Sequence, residues 1–403
     1  MRRLLLAFGA LVVVAFGSAG AGAWWYTART FERWPILVQQ SNGNLLLADQ
    51  FGKTRPLTTD ADGQTLSYLF ATPAPDGRSV ATVAVRNSAQ DPSAALMVHR
   101  LAGPPITLYD EAGSSPFYLS WSPDSQKLAF LASSETGMTL HAVLSSGGET
   151  SKRIAPGQPS YFAWAPNSDR MILHIGGGTP LDGLFLYEWG ANKPTRIKAT
   201  PALFNAPSWL PNGEAAIVAL QQPSGATLAT VDTQGTIVQR IADLHGGTLF
   251  VPSPDASQIA YIALAGNIPG QLHVVRSDGS DDRSFAPAPT FAFFWSPQGD
   301  KLAFLSFDEE IRAISTRQEF PAVRWNVLTL ATGKVQPFEP FQPSINFINL
   351  LPYFDQYAQS IRLWNASGTQ LLYASTNGVH TLDVTTGQEQ RVSDGVMGMW
   401  MEP

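Results

Sequence analysis

No cysteine occurs in the 403 residues of this chain. That absence excludes disulfides, thiolate metal sites, a cysteine nucleophile and acylation of an N-terminal cysteine, while leaving the redox compartment unread. Charge is sparse as well, with Asp, Glu, Lys and Arg making 14% of the chain, and no run of Lys and Arg appears. Setting aside Arg2, Arg3, Arg29, Arg33 and Glu32 leaves 22 basic against 31 acidic side chains, a net charge of −9 from residue 34 onward. A polyanion is held by cationic side chains that displace its counterions, so nucleic acid is excluded as a partner.

Catalytic signatures are missing too. There is no Gly-x-Ser-x-Gly for a serine hydrolase, and none of the 6 histidines is followed by Glu, which removes His-Glu-x-x-His. Gly52-Lys53-Thr54 lacks the preceding glycine of a phosphate loop and reads as a turn between strands.

What the chain does have is a repeat. Aromatic, apolar runs stop at a turn and restart at Pro75-Asp76-Gly77, Pro123-Asp124-Ser125, Pro166-Asn167-Ser168, Pro211-Asn212-Gly213, Pro254-Asp255-Ala256, Pro297-Gln298-Gly299 and the worn Ala366-Ser367-Gly368. Trp121, Trp164, Trp209, Trp295 and Trp364 each stand two residues ahead of their turn. Proline presets φ for a type I turn and Asp or Asn bonds its own backbone two residues on, so each motif makes a hairpin. The clearest unit runs 117–121 into the turn, 127–131 out of it, then 138–144 and 152–155: four strands. A period of about 45 residues, in units too small to bury their own apolar faces, predicts an all-β fold, a β-propeller of four-stranded blades.

At these motifs the chain resembles the TolB-type, WD-repeat-like propeller repeat. Trp121-Ser122-Pro123-Asp124 with Leu128-Ala129-Phe130, and Trp295-Ser296-Pro297 with Leu302-Ala303-Phe304, carry the likeness. It implies architecture, not activity, and covers only the propeller: residues 34–66 are too few for the α/β domain that precedes the blades of TolB itself.

Both ends of the chain read as parts of one further blade. Residues 396–400 form an innermost strand with Trp400 in register, whereas 36–40, 45–48 and 55–58 supply strands two to four. The expectation is eight blades closed by pairing of the terminal segments across 34–403, with seven the alternative if the front segment only decorates the edge.

Residues 1–33 give the address. Arg2 and Arg3 precede an uncharged stretch, 4–26, long enough for one membrane crossing, and Trp24-Trp25-Tyr26 suits an interfacial belt. The charge balance across the span places the propeller outside the cytoplasm on a signal anchor, a transmembrane helix. A cleaved signal peptide, with its site at Ala21-Gly22-Ala23, is the competing reading, giving a secreted or periplasmic protein.

The inner strands are nearly uncharged. Over the four residues ending at each Trp-equivalent position, Arg362 is the one charged side chain. His99, His141, His273 and His380 fall on third strands and His174 on a second, away from the axis, so neither metal nor cofactor is expected.

Two insertions depart from the repeat. Residues 306–322 contain Asp308, Glu309, Glu310 and Arg312, and the link 338–360 contains Tyr353, Phe354, Asp355, Gln356 and Tyr357. Connections from strand two to three and from strand four to the next blade leave by one face, so both should share a rim. Two readings stay open: these residues, with Arg362, bind a protein or envelope component, or the aromatics plug the channel mouth. The expectation is a membrane-tethered, non-enzymatic binding scaffold. The alternatives are a glycan-acting lyase or hydrolase drawing on Asp355, His245 and Glu309 or Glu310, and a sugar sensor using the same rim.

Overall fold

A computed structural model of the chain describes residues 35–401 except 158–159, 177–181, 203–204, 224, 245–246, 266–267, 286–288 and 308–320. Eight antiparallel sheets follow one another around a ring. Blade 1 joins Ile36–Gln39, Leu45–Ala48 and Thr54–Pro56 to the final strand Met397–Trp400. Blades 2 to 8 then occupy 66–109, 114–156, 160–196, 208–244, 247–284, 290–341 and 370–393. The closure expected from the sequence is therefore present, with Ile36 opposite Trp400 and Gln39 opposite Met397.

Seven sheets have four strands and blade 8 has three, its innermost position reduced to a bridge between Trp364 and Leu371. The cause is local. The Ile361 amide still bonds the Tyr357 carbonyl at 2.8 Å, so the chain leaves a helical turn only there and has little length left to pair as a strand before the turn at Ala366.

The turns work as their residues suggest. In blade 2 the Gly77 amide bonds the Ala74 carbonyl and the Asp76 carboxylate accepts from the Arg78 amide. The third turn residue holds a left-handed conformation: Gly77 has φ 67°, and Ser125, Ser168 and Ala256 hold φ of 62°, 64° and 53° at the matching positions.

The tryptophans tie blade to blade. Each indole Nε1–H donates to the carbonyl just ahead of the Trp-equivalent position in the preceding blade: Trp121 to Thr72 at 3.0 Å, Trp164 to Ser120 at 3.2 Å, Trp209 to Ala163 at 3.0 Å and Trp295 to Val251 at 2.9 Å. Trp364 reaches Phe294 at 3.0 Å, and Trp400 closes the circle on Leu363 at 3.2 Å. A buried N–H costs free energy unless paired, so one residue type supplies both the apolar wedge between sheets and its own hydrogen bond. Pro73 and Pro252 stand at the two positions that lack the indole.

Among the described residues no helix is long and apolar enough to cross a membrane. The stretch 4–26 lies outside them.

Candidate functional site

The link after blade 7 turns inward. Ser344 fixes its entry: its amide bonds the Ala374 carbonyl at 3.0 Å, and its hydroxyl donates to the Val396 carbonyl at 2.6 Å. The same hydroxyl accepts from the Phe347 amide at 3.2 Å, capping a short helix, α1 (Ile345–Leu350). A 3-10 turn, Leu351–Tyr353, with Pro352 at its start, leads into a single turn, α2 (Phe354–Tyr357).

α2 fills the channel. Phe354 is buried and sets its ring edge-on to Phe293 of blade 7, 4.7 Å between centroids. Tyr357 meets Tyr118 of blade 3 edge-on at 5.0 Å. Gln356 is buried between blades 3 and 4, where its Nε2 donates to the Tyr118 hydroxyl and, at 2.9 Å, to the Phe162 carbonyl. Its Oε1 accepts from the Phe162 amide at 3.1 Å. The segment leading into blade 5 is engaged twice, by the Asp355 Oδ2 accepting from the Ala206 amide at 3.1 Å and by the Gln359 Nε2 donating to the Pro207 carbonyl at 3.0 Å.

Asp355 is the unusual group here. It is 2% exposed, and among the described residues no cation faces it and its Oδ1 has no hydrogen-bond partner. Burial pushes its carboxyl up to about 6, against a smaller opposing pull from the Ala206 amide. Burial also raises the Tyr357 phenol to about 12 and the Tyr118 phenol further still, so both remain hydroxyl donors at neutral pH.

The residues expected at a rim surface thus part company. Phe354, Asp355 and Gln356 lie inside the channel and Tyr357 is half-buried, so these serve as the plug, while Tyr353 remains 53% exposed. Ile345, on the same link, is 64% exposed and escaped notice in the sequence because it follows the long fourth strand of blade 7. Asp308, Glu309, Glu310, Arg312 and also His245 lie outside the described residues. The ends of the insertion are placed: Phe307 pairs with Val323, and Val323 with Phe341, so the insertion and the link leave blade 7 side by side.

Arg362 lies elsewhere. It helps line a cavity of 610 Å³ with Trp164, Trp209, Trp295, Trp364 and the turn prolines, where it is the one charged lining residue among those described. Its Nη1 donates to the Met401 carbonyl at 3.3 Å, and burial lowers its pKa.

Among the described residues no group of three or more His, Asp or Glu side chains could hold a metal. His99, His141 and His174 are buried, each with a lowered pKa caused first by burial, and they bond Thr82, Ser151 and the Asn205 carbonyl respectively.

No family model and no curated protein matches the chain. Solved structures do match, TolB proteins among them. TolB from Acinetobacter baumannii is 19% identical over 61% of this chain and 62% of that one, with a TM-score of 0.36. A prolyl endopeptidase is 14% identical, covering 79% of this chain and 49% of its own length, with a TM-score of 0.52. A eukaryotic initiation factor is 12% identical over 92% of this chain and 99% of that one, also at 0.52. The chain spans less than two thirds of the length of that TolB and about half that of the endopeptidase. At these identities the likeness is one of fold.

Proposed function

We propose that this propeller is a binding scaffold, held outside the cytoplasm by its N-terminal segment, that takes a protein or other envelope component on the rim where the link leaves blade 7. The observation that carries this reading is the pairing of a locked plug with exposed apolar groups. Ile345 and Tyr353 stand out from a link whose next residues are fixed in the channel, so they offer contact area without an ordering cost on binding. Interface anchors of this kind are often aromatic. The uncharged stretch 4–26 and the arginines before it support the membrane tether and the outward orientation.

A photo-crosslinking residue at Tyr353, in the full chain in native membranes, tests the assignment. The expected result is one discrete adduct that weakens on Ile345→Ser. Phe51, 78% exposed in a turn that opens on the opposite face, is the control position and should give none. Equal adducts from both positions, or none from Tyr353, would remove the rim as the binding surface.

A second reading, a glycan-acting enzyme, draws on the carboxyl of Asp355, which burial holds at about 6, in the range of a general acid. Cleavage of a glycan by purified protein, lost on Asp355→Asn with folding intact, would replace the scaffold reading by this one.

A further inference from the structure

A second cavity, of 290 Å³, lies between the link and the inner strands of blades 1 to 3. Among the described residues no charged side chain lines it. Its polar wall is made chiefly of carboxamides: Gln39 from blade 1, with Asn346 and Asn349 from successive turns of α1. None of the three side chains is hydrogen-bonded to a described residue within the cavity wall, although Gln39 is only 6% exposed. Each carboxamide offers two N–H donors and a carbonyl acceptor, so this wall holds a matched set of donors and acceptors not committed to the fold.

The facing wall is aromatic and strained. Phe70 sits in a bulge of blade 2 between Leu69 and Thr72, with φ 53°, and is 39% exposed. A bulky residue rarely holds this conformation. Tyr118 does the same at the matching bulge of blade 3, φ 45°, but there the side chain is buried and bonded to the plug. Phe70 is not buried in this way: it is 39% exposed and borders both this cavity and another, of 560 Å³, between blades 2 and 3. Strain of this kind is the sort that persists at ligand sites.

We propose that this cavity binds one neutral pyranose unit of a glycan, its hydroxyls read by Gln39, Asn346 and Asn349 and its apolar face laid on Phe70. A cavity near 300 Å³ is at the small end for ligand sites, which suits a single sugar ring or the end of a chain. With no cation among its described lining residues, the cavity disfavours an acidic sugar, whose carboxylate would be desolvated without a partner. Met397 and Met399 supply an adaptable apolar floor for the methyl of an acetamido substituent. This goes beyond the rim reading and stands apart from it, since crosslinking at Tyr353 and sugar binding are separate measurements.

The test is an NMR titration of the propeller labelled at its methionine methyls, with N-acetylglucosamine, glucose and galacturonate as probes. The expected result is a saturable shift of the Met397 and Met399 signals with N-acetylglucosamine, weaker binding of glucose, and galacturonate at least about tenfold weaker than the acetamido sugar. Phe70→Gly removes the ring and relieves the backbone, so it should fold at least as stably and still lose affinity by about tenfold or more. Asn346→Ala with Asn349→Ala, at a half-buried and an exposed position of α1 that the core does not use, should lose as much with an unchanged melt. No saturable shift with either neutral sugar, galacturonate binding as tightly as N-acetylglucosamine, or affinity unchanged in these variants would each overturn the proposal.

Discussion

Gln356 and Tyr118 hold each other twice: the amide Nε2 donates to the phenol oxygen, and the phenol donates back to the Gln356 carbonyl at 3.0 Å. The two residues are 238 positions apart in the chain, and their bonds seat the plug against blade 3. With the bonds to Phe162, they let a polar side chain sit on the axis of an almost uncharged channel without leaving a polar group unpaired.

Removal of this arrangement is expected to cost more than its area suggests. Gln356→Ala strands the buried amide and carbonyl of Phe162, each worth about 1–3 kcal/mol when left unpaired, while the Tyr118 hydroxyl keeps its bond to the backbone carbonyl of residue 356, so a loss of about 2–4 kcal/mol is expected in denaturant melts. Tyr118→Phe, which removes one hydroxyl and keeps the ring, should cost about 1–2 kcal/mol. A Gln356→Ala change below 1 kcal/mol would mean that the plug adds little to the ring.

Asp355 gives a pH signature with a definite sign. Its carboxyl is raised from 3.8 to about 6 in the fold, so between those values the unfolded chain gives up its proton while the folded chain keeps it. Its contribution is full below 3.8, declines as pH rises, and by pH 7 has fallen by about 3 kcal/mol. Asp355→Asn keeps an oxygen for the Ala206 amide and cannot ionise. Chemical denaturation at pH 4 and pH 8 should show variant and wild type close at the lower pH and the variant more stable, by up to about 3 kcal/mol, at the higher. A difference that does not change with pH would mean that Asp355 has an ordinary carboxyl.

The third turn residue offers a gain in stability. Ala256 holds φ 53° where four other blades have glycine, so Ala256→Gly should stabilise by about 0.5–1 kcal/mol, the relief of strain outweighing the added freedom of the unfolded chain. Ser125→Gly relieves similar strain but loses the hydroxyl that accepts from the Asp76 amide at 3.0 Å in the neighbouring turn. It should gain less, and a paired melt of the two variants separates the terms.

The blades were legible because their signals are local. Turn chemistry and the Trp register recur, so the hairpins, the eight-fold count and even the terminal closure follow from aligning 117–131 with its copies. The strand assignments of His99, His141, His174, His273 and His380 hold for the same reason. Contacts across the ring were not readable. Nothing near Gln356 says that it meets Tyr118 and Phe162, because their approach depends on how eight sheets close around an axis. Phe70 and Tyr118 each stand three residues ahead of a Trp-equivalent position, so they hold matching places in their blades. That one would be buried against a plug and the other face a cavity depends on where the link enters. Arg362 was legible as the lone inner-strand charge, but its cavity is formed by residues of blades 3 to 8 and the link, which no local pattern assembles.

Ring closure yields the last expectation. Met397–Trp400 is the innermost strand of blade 1, and Trp400 is also the clasp onto blade 8, so one short segment joins two blades. Trp400 is 3% exposed, and Trp400→Ala should cost about 3–5 kcal/mol through lost packing and an unpaired Leu363 carbonyl. Trp295→Ala, at a half-buried indole inside an otherwise continuous part of the ring, should cost less, about 2–3 kcal/mol. Truncation after Ser393 removes the whole closing strand and exposes the edge of Ile36–Gln39, which then has a row of unpaired backbone groups. The truncated chain should lose its single cooperative transition and be cut by protease within blade 1 or blade 8 first. A truncated chain with the melt and protease resistance of the full one would show that neighbouring blades hold the ring without the closing strand.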